Sequence, residues 1–288
     1  MAREIKIKNH KFIKKALDIK TVLEGLNYGY GVMDENCRMA EWDSVGNGLV
    51  TIYDRDHIGR GVEIVDINNK KEIELSLPMP ATSYDVDVLY TLAGRIAKLW
   101  DSGYILDEDY GEKVSLKDLG NLRERDYGVN IGILAHADQF DDPMSFPSAI
   151  FPIAIENKVL QSFGDKEHYD GFAAFLHEKQ SMDVYYMAPL LARLPGTDGI
   201  SAIYCLIDDA PCVALTEPLV RYTDPNGQHL TCNQYFFAYN SANPEHMYFI
   251  DYATFLKRIP KESVSPFDVK HLLLGPFSDE ALKELFKD

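Results

Sequence analysis

The stretch "LVTIYDRDHIGRGVEIVDINNKKEIELSLPMPATSYDVDVLYTLAGRIAKLW", residues 49–100, carries the clearest structural signals in the chain. Its first part predicts three neighbouring strands, "LVTIY", "GVEIVDI" and "EIELSL", because apolar and β-branched residues recur between turn-forming segments such as "NNKK". Its last part predicts a helix, since Thr82 and Asp85 have the spacing of a capping box and the apolar residues that follow recur at helical spacing. The stretch therefore predicts a meander covered on one face by a helix.

The rest of the chain extends this pattern. "REIKIK" predicts a first strand, and the second half contains strand-like segments separated by turns such as "GTDG" and "DPNG". Residues 120–150 have the weakest periodicity, so we expect a long loop or a boundary there. The sequence predicts an α+β fold with largely antiparallel sheets and helices packed on one face, and it leaves open whether the two halves are similar. The expected domains are residues 1–125, a meander-plus-helix half, and residues 126–288, a strand-rich half.

The last segment, "SPFDVKHLLLGPFSDEALKELFKD", predicts two helices. Ser265 is the expected N-cap of the first helix, with Pro266 at its first position and Gly275 just after its end. Ser278 is the expected N-cap of the second helix.

The composition is that of an acidic globular protein. The 288 residues are 46% hydrophobic and carry a formal net charge of −16. Residues 1–20 nevertheless hold seven basic and two acidic residues, a local charge of +5, so that the remaining residues carry −21. Acidic surfaces disfavour nucleic acid, and the chain has neither a run of 18 apolar residues nor the apolar segment of a signal peptide. We expect a cytoplasmic protein without a nucleic-acid or membrane partner; a protein partner selected by charge is expected to be basic.

The four cysteines, at positions 37, 205, 212 and 232, form no metal-binding spacing. A turn centred on Asp208 and Asp209 is expected to place Cys205 opposite Cys212 on paired strands. The two thiols are then either small buried side chains or a redox-sensitive pair.

The motifs of common enzyme and cofactor classes are missing from the sequence. It contains no P-loop, no nucleophile elbow and no dinucleotide fingerprint, and Ser181 stands where the second zinc-binding histidine would follow His177. We therefore expect no cofactor. His136, Asp138, Asp141 and Asp142 are weak candidates for a metal site, although aspartates are also common in ordinary surface turns.

The segment "YDRDHIGRGVEIV", residues 53–65, contains the candidate functional residues. Asp54, Asp56 and His57 are candidates for acid–base chemistry, while Gly59, Arg60 and Gly61 are candidates for binding an anionic group. The alternative is a polar connection between strands, in which the glycines supply positive φ angles and the arginines neutralise nearby acids.

This segment, together with "YGYGVMDENC" and "ELSLPMPATSYDVDVLYTLAGRIAKLW", resembles a family of uncharacterised proteins from low-GC Gram-positive bacteria, known as a domain of unknown function. The resemblance covers roughly residues 28–100 and implies a bacterial cytosolic origin. It implies no activity, cofactor or catalytic residue.

Two functions are compatible with these features. The strong negative charge, the 17 tyrosines and the missing catalytic motifs favour a non-enzymatic binding or interaction protein. The alternative is a hydrolase or transferase that acts on a small anionic substrate near His57.

Overall fold

The computed structural model describes residues 1–33, 39–40, 49–193, 199–223, 227–240 and 247–287. Cys37 lies outside the described residues. The chain forms two compact units, Met1–Met182 (unit 1) and Asp183–Asp288 (unit 2). Among the helices of the described part, none is long and apolar enough to cross a membrane.

Unit 1 contains a large antiparallel sheet. Its strands are β1 (Ala2–Lys8), β2 (Tyr28–Met33), β3 (Met39–Ala40), β4 (Val50–Asp54), β5 (Val62–Val65), β6 (Glu72–Pro78), β7 (Tyr104–Asp107) and β8 (Glu112–Ser115). Their order in the sheet is β3-β2-β4-β5-β6-β1-β7-β8, and neighbouring strands are antiparallel. The predicted meander β4-β5-β6 is confirmed.

The predicted long helix is also confirmed. After α1 (Ile19–Leu23), the helix α2 (Ser83–Leu99) begins at the capping box of Thr82 and Asp85 and contacts five strands of the large sheet. Its buried positions include Val86, Leu89 and Ile96, which lie in one apolar core with the inner face of the sheet. Burial of this apolar stripe, rather than helix propensity alone, holds α2 in place.

The prediction of a long loop over residues 120–150 was wrong for residues 120–135, because α3 spans Leu119–Ala135. Its buried residues are Leu122, Asp126, Asn130 and Leu134, spaced four residues apart along one face. Two of the four are polar, so the apolar periodicity that normally reveals a helix is missing. The domain boundary predicted between residues 125 and 126 falls within this helix.

The remaining elements of unit 1 form a smaller apolar cluster. They are β9 (Met144–Phe146), β10 (Ile153–Ile155), α4 (Asn157–Gln161) and α5 (Tyr169–Gln180). Phe146, Ile153, Leu160 and Phe172 are among the residues buried there.

The described residues of unit 2 form two four-stranded sheets and a two-stranded ribbon. Its strands are β11 (Tyr185–Tyr186), β12 (Leu190–Ala192), β13 (Ser201–Leu206), β14 (Cys212–Leu215), β15 (Arg221–Thr223), β16 (His229–Thr231), β17 (Gln234–Asn240), β18 (Met247–Asp251), β19 (Val264–Pro266) and β20 (His271–Leu274). The sheet orders are β12-β13-β17-β18 and β11-β14-β20-β19, with parallel pairing only of β13 with β17 and of β11 with β14 among the described strands. The α-helices in the described part of unit 2 are α6 (Tyr252–Arg258) and α7 (Asp279–Leu285). The predicted α+β class with largely antiparallel sheets is confirmed.

The prediction that Cys205 lies opposite Cys212 was wrong, and so was the prediction of a helix after Ser265. Cys205 lies opposite Ala238, and Cys212 lies opposite Leu274, because β13 and β14 belong to different sheets rather than to one hairpin. The two thiols are therefore not neighbours across paired strands.

The segment from Ser265 to Gly275 forms the hairpin β19-β20 and not a helix. Asp268 explains the difference, since its Oδ1 accepts the N–H groups of Lys270 and His271 at 2.8 and 2.9 Å and so closes the turn. The prediction of Ser278 as the N-cap of the last helix is confirmed, since its hydroxyl accepts the N–H of Ala281.

Candidate functional site

The candidate residues of the "DRDHIGRG" segment lie in the connection between β4 and β5. Asp54 is the last residue of β4, and β5 begins at Val62, so Gly59 and Gly61 are not part of a strand. Gly61 has a φ angle of +77°, a conformation that favours glycine. Residues 55–61 thus connect two strands, as in the alternative interpretation of the sequence, but a positive φ angle is found at Gly61 and not at Gly59. The role of Gly59 and Gly61 in binding stays a prediction.

The connection wraps around the carboxylate of Asp85, which is 1% exposed. Asp85 accepts the backbone N–H groups of Arg60 and Gly61 at 3.0 and 2.9 Å, and also the N–H and hydroxyl of Thr82 at 3.0 and 2.7 Å. A Cβ atom at Gly59 would stand 2.3 Å from an oxygen of the same carboxylate. The glycine-flanked backbone thus holds an anion that belongs to the protein itself.

The Arg60 side chain points into unit 1 rather than toward solvent. It is 6% exposed, and its guanidinium donates to the carbonyl oxygens of Pro147 at 3.0 Å and Pro80 at 3.2 Å. Its Cζ atom also lies 4.4 Å from the centre of the Phe146 ring. Burial lowers the pKa of Arg60 to about 10, although the negative charge of Asp85 acts to raise it. The side chain therefore remains cationic at neutral pH. Binding of an external anion by Arg60 stays a prediction.

His57 lies beside two groups that the sequence did not place near it. Its half-buried ring stacks on Tyr84 with ring centres 3.6 Å apart, and the centre of the His177 ring is 6.3 Å away. The N–H of Ile58 donates to Nδ1 of His177 at 3.0 Å, so the neutral His177 ring carries its proton on Nε2. Two imidazoles next to a phenol are chemically able to accept and donate protons.

The two aspartates of the segment shape its turn. Asp54 accepts the N–H of Asp56 at 2.8 Å, and Asp56 accepts the side-chain amide of Asn27 at 2.8 Å. Both carboxylates therefore have structural partners, and their predicted role in catalysis stays a prediction.

The weak metal candidates are spread over the end of α3 and the following loop. His136, Asp138, Asp141 and Asp142 are exposed, and Asp142 accepts the N–H of Asn157 at 3.0 Å. Within the described ranges there is no group of three or more histidine, cysteine or acidic residues that could hold a metal ion.

A buried cluster of charges is centred on Arg3, which is 4% exposed. Its guanidinium contacts Asp107 at 2.7 and 2.9 Å, Asp126 at 2.9 Å and Asp109 at 2.5 Å. Arg125 adds a further bond of 2.7 Å to Asp107. The cluster joins the start of β1 to the end of β7 and to α3, and it explains the polar residue Asp126 on the buried face of that helix.

The Asp107 carboxylate is expected to make the stability of unit 1 depend on acid. Burial alone would raise the pKa of Asp107, but the hydrogen bonds from Arg3 and Arg125 outweigh it and hold this pKa below the ordinary value of 3.8. Its contribution is therefore complete above pH 3.8 and is lost as the pH falls through the lower folded-state value. Urea unfolding over a pH series should show that the free energy of unfolding falls more steeply with decreasing pH in the parent protein than in Asp107→Asn. Equal slopes would contradict this assignment.

A pocket of about 380 Å³ opens on unit 2, and we call it the acidic pocket. It is lined by residues 216–218, 233–236 and 251–253 and by Leu256. Its charged lining residues are Glu217 and Asp251, both exposed, and its aromatic lining residues are Tyr235, Phe236 and Tyr252. The Tyr252 hydroxyl donates to the carbonyl of Leu215, which fixes one wall.

The comparisons with known proteins identify a family but no function. The model of a domain of unknown function, DUF4299, matches residues 2–285. The chain belongs to the DUF4299 family. This match confirms the predicted resemblance of roughly residues 28–100 to a domain of unknown function and extends it over nearly the whole chain. The origin in low-GC Gram-positive bacteria stays a prediction. No curated protein and no solved structure matches the chain.

Sequence reasoning missed several residues that matter in this DUF4299 chain. Tyr84 and His177 reach His57 only through the packing of α2 and α5, and no local pattern indicates this. The acidic pocket combines three separate segments of unit 2, so its carboxylates show no common spacing. The sequence shows Arg3 but not its partners, because Asp107 and Asp126 lie more than 100 residues further along the chain.

Proposed function

We propose that the protein is a non-enzymatic binding protein whose acidic pocket holds a cationic side chain of a basic protein partner. The observation that carries the proposal is the combination of two carboxylates with three aromatic side chains around one pocket. Ammonium and guanidinium groups bind favourably to carboxylates and to the faces of aromatic rings.

The dimensions of the pocket support this ligand class. Its volume of about 380 Å³ is at the lower end of small-molecule pockets, roughly 300–1,000 Å³, and is large enough for a lysine or arginine side chain. The carboxylates of Glu217 and Asp251 line the pocket together with the half-buried rings of Tyr235 and Phe236. A cation bound there gains electrostatic attraction while its aliphatic stem contacts the rings.

The charge of the whole chain supports a basic partner as well. The formal net charge of −16 attracts cationic molecules over a distance and raises their rate of encounter. We place this interaction in a bacterial cytosol, as the resemblance described from the sequence implies.

Calorimetric titration with a short oligolysine peptide tests the acidic pocket. We expect the parent protein to bind it, and Glu217→Gln and Asp251→Asn each to weaken binding roughly fivefold. Asparagine is a suitable replacement at position 251, because Asp251 also caps α6 by accepting the N–H of Thr254 at 2.9 Å and asparagine caps helices equally well.

Glu262→Gln is the matched control, since it removes one exposed carboxylate of unit 2 that does not line the pocket. This variant should bind the peptide like the parent protein. Equal weakening by all three variants would mean that only the overall charge attracts the peptide, and absence of binding to the parent protein would refute the proposal. A hydrolase or transferase activity near His57 stays a prediction.

A further inference from the structure

The loop formed by residues 9–18, the lysine loop, presents two apolar side chains to water. Phe12 is 101% exposed and Ile13 is 70% exposed. Adjacent exposed side chains of this size are unfavourable in water and mark a surface that contacts an apolar medium or a partner.

The base of the lysine loop is firmly attached to unit 1. Asn9 is 3% exposed; its N–H donates to the carbonyl of Lys71 at 2.7 Å and its side-chain amide to that of Lys70 at 3.0 Å. Its side-chain oxygen accepts the N–H of Lys11 at 3.0 Å, and Leu17 packs against the apolar core. The two exposed side chains therefore protrude from a fixed base.

The surroundings of Phe12 and Ile13 are basic although the protein is acidic. Between Glu4 and Asp18 the chain contains five lysines and no acidic residue. Lys11, Lys14 and Lys15 are exposed, and the bonds of Asn9 bring the exposed turn residues Lys70 and Lys71 to the base of the loop. Lys8 is exposed too, but it lies opposite the exposed Glu72.

A cavity of about 310 Å³ adjoins the lysine loop. Lys11 and Lys15 line it together with Asp18, Leu99 and Trp100. The lining residues thus comprise two lysines, one aspartate and apolar side chains that include Ile13. The lysines suit the phosphate of a lipid headgroup.

We propose that the lysine loop docks on an anionic lipid surface, with Phe12 and Ile13 inserted among the acyl chains and the lysines at the headgroups. An aromatic and an aliphatic side chain that protrude from a basic loop fit a fluid apolar layer, whereas a protein partner would need a matching cavity. Nucleic acid is less suitable, because Ile13 has no ring that stacks on a base. The lysine loop belongs to unit 1 and shares no residue with the acidic pocket of unit 2. Its proposed partner is anionic, whereas the net charge of the whole chain favours a basic partner.

Co-sedimentation with lipid vesicles tests the lysine loop. We expect binding to vesicles of phosphatidylcholine mixed with phosphatidylglycerol, little binding to phosphatidylcholine alone, and a loss of affinity with added salt. Phe12→Ser combined with Ile13→Ser should lower the affinity about tenfold or more, and so should Lys14→Gln combined with Lys15→Gln. Phe12→Trp should show a blue shift of its fluorescence on binding, which reports insertion directly.

Matched controls on unit 2 are Leu219→Ser with Val269→Ser, which removes two exposed apolar side chains, and Lys257→Gln with Lys261→Gln, which removes two exposed charges. Both controls should bind like the parent protein. The proposal is overturned if the parent protein ignores anionic vesicles, if it binds neutral vesicles equally well, if the controls lose as much affinity as the loop variants, or if single-stranded oligonucleotides bind the loop while vesicles do not.

Discussion

Replacement of Arg3 by leucine is expected to lower the free energy of unfolding by about 3–5 kcal/mol, because it leaves buried carboxylates without their cation. Arg3 is 4% exposed and contacts both oxygens of Asp107 as well as Asp126. Arg125 remains close to Asp107, but it donates to only one oxygen of the Asp107 carboxylate and so cannot replace the contacts of Arg3. Urea unfolding monitored by circular dichroism measures the loss.

Lys6→Gln is the matched control for this experiment. Lys6 lies on the same strand and contacts Glu108 at 3.1 Å and Glu74 at 3.3 Å, but all three side chains are partly exposed. Ion pairs of this kind contribute about 0–1 kcal/mol, so the control should be close to the parent protein. Arg3→Lys, which keeps the charge and loses the bidentate geometry, should lie between the two. A loss for Arg3→Leu no larger than that of Lys6→Gln would show that the cluster does not stabilise unit 1.

Gly59→Ala is expected to lower the free energy of unfolding by about 2–3 kcal/mol, as is typical when extra atoms are forced into a packed core. The added Cβ would stand 2.3 Å from an oxygen of Asp85, which is buried and held by four donors and cannot move without losing hydrogen bonds. Gly128→Ala is the matched control, since nothing lies within 4 Å of its Cβ and it lies within α3. We expect this control to gain about 0.5–1 kcal/mol from its higher helix propensity.

A double-mutant cycle separates the clash at Gly59 from other effects of the substitution. In a background that carries Asp85→Ala, the carboxylate that meets the new Cβ is gone, so Gly59→Ala should cost much less than in the parent protein. An equal cost in both backgrounds would contradict the role of Asp85 as the neighbour that requires glycine at position 59. Thermal unfolding of the four proteins provides the comparison.

The parts of the fold that the sequence predicted are those with strong local signals. The strands β4, β5 and β6 alternate between defined turns, and the Thr82 and Asp85 capping box marks the start of α2. The helical structure of residues 120–135 in α3 was missed because Asp126 and Asn130 occupy half of its buried face. Each serves a distant group: Asp126 binds Arg3 at 2.9 Å, and Asn130 accepts the N–H of Ala81 at 2.6 Å. Long-range polar contacts of this kind have no signature in a local window.

The hairpin β19-β20 was missed because its local sequence signals are strong but indicate a helix. Pro266 and Gly275 match the start and the end of a helix, but the "HLLL" segment pairs with β14 through residues 212–215, about 60 positions earlier. The sequence indicated that the "DRDHIGRG" connection could surround an anionic group. It did not indicate that this group is the carboxylate of Asp85, which lies about 25 residues further along the chain.

The position of β1 in the large sheet has a consequence for the synthesis of the protein. This strand is made before β6 and β7, yet it lies between them and pairs with residues 72–78 and 104–107. The nascent strand therefore waits for its first neighbour until β6 has left the ribosome, and for its second until β7 has followed about 30 residues later. During that interval its edges are open to pairing with other chains, and the alternating lysines of "REIKIK" discourage such aggregation.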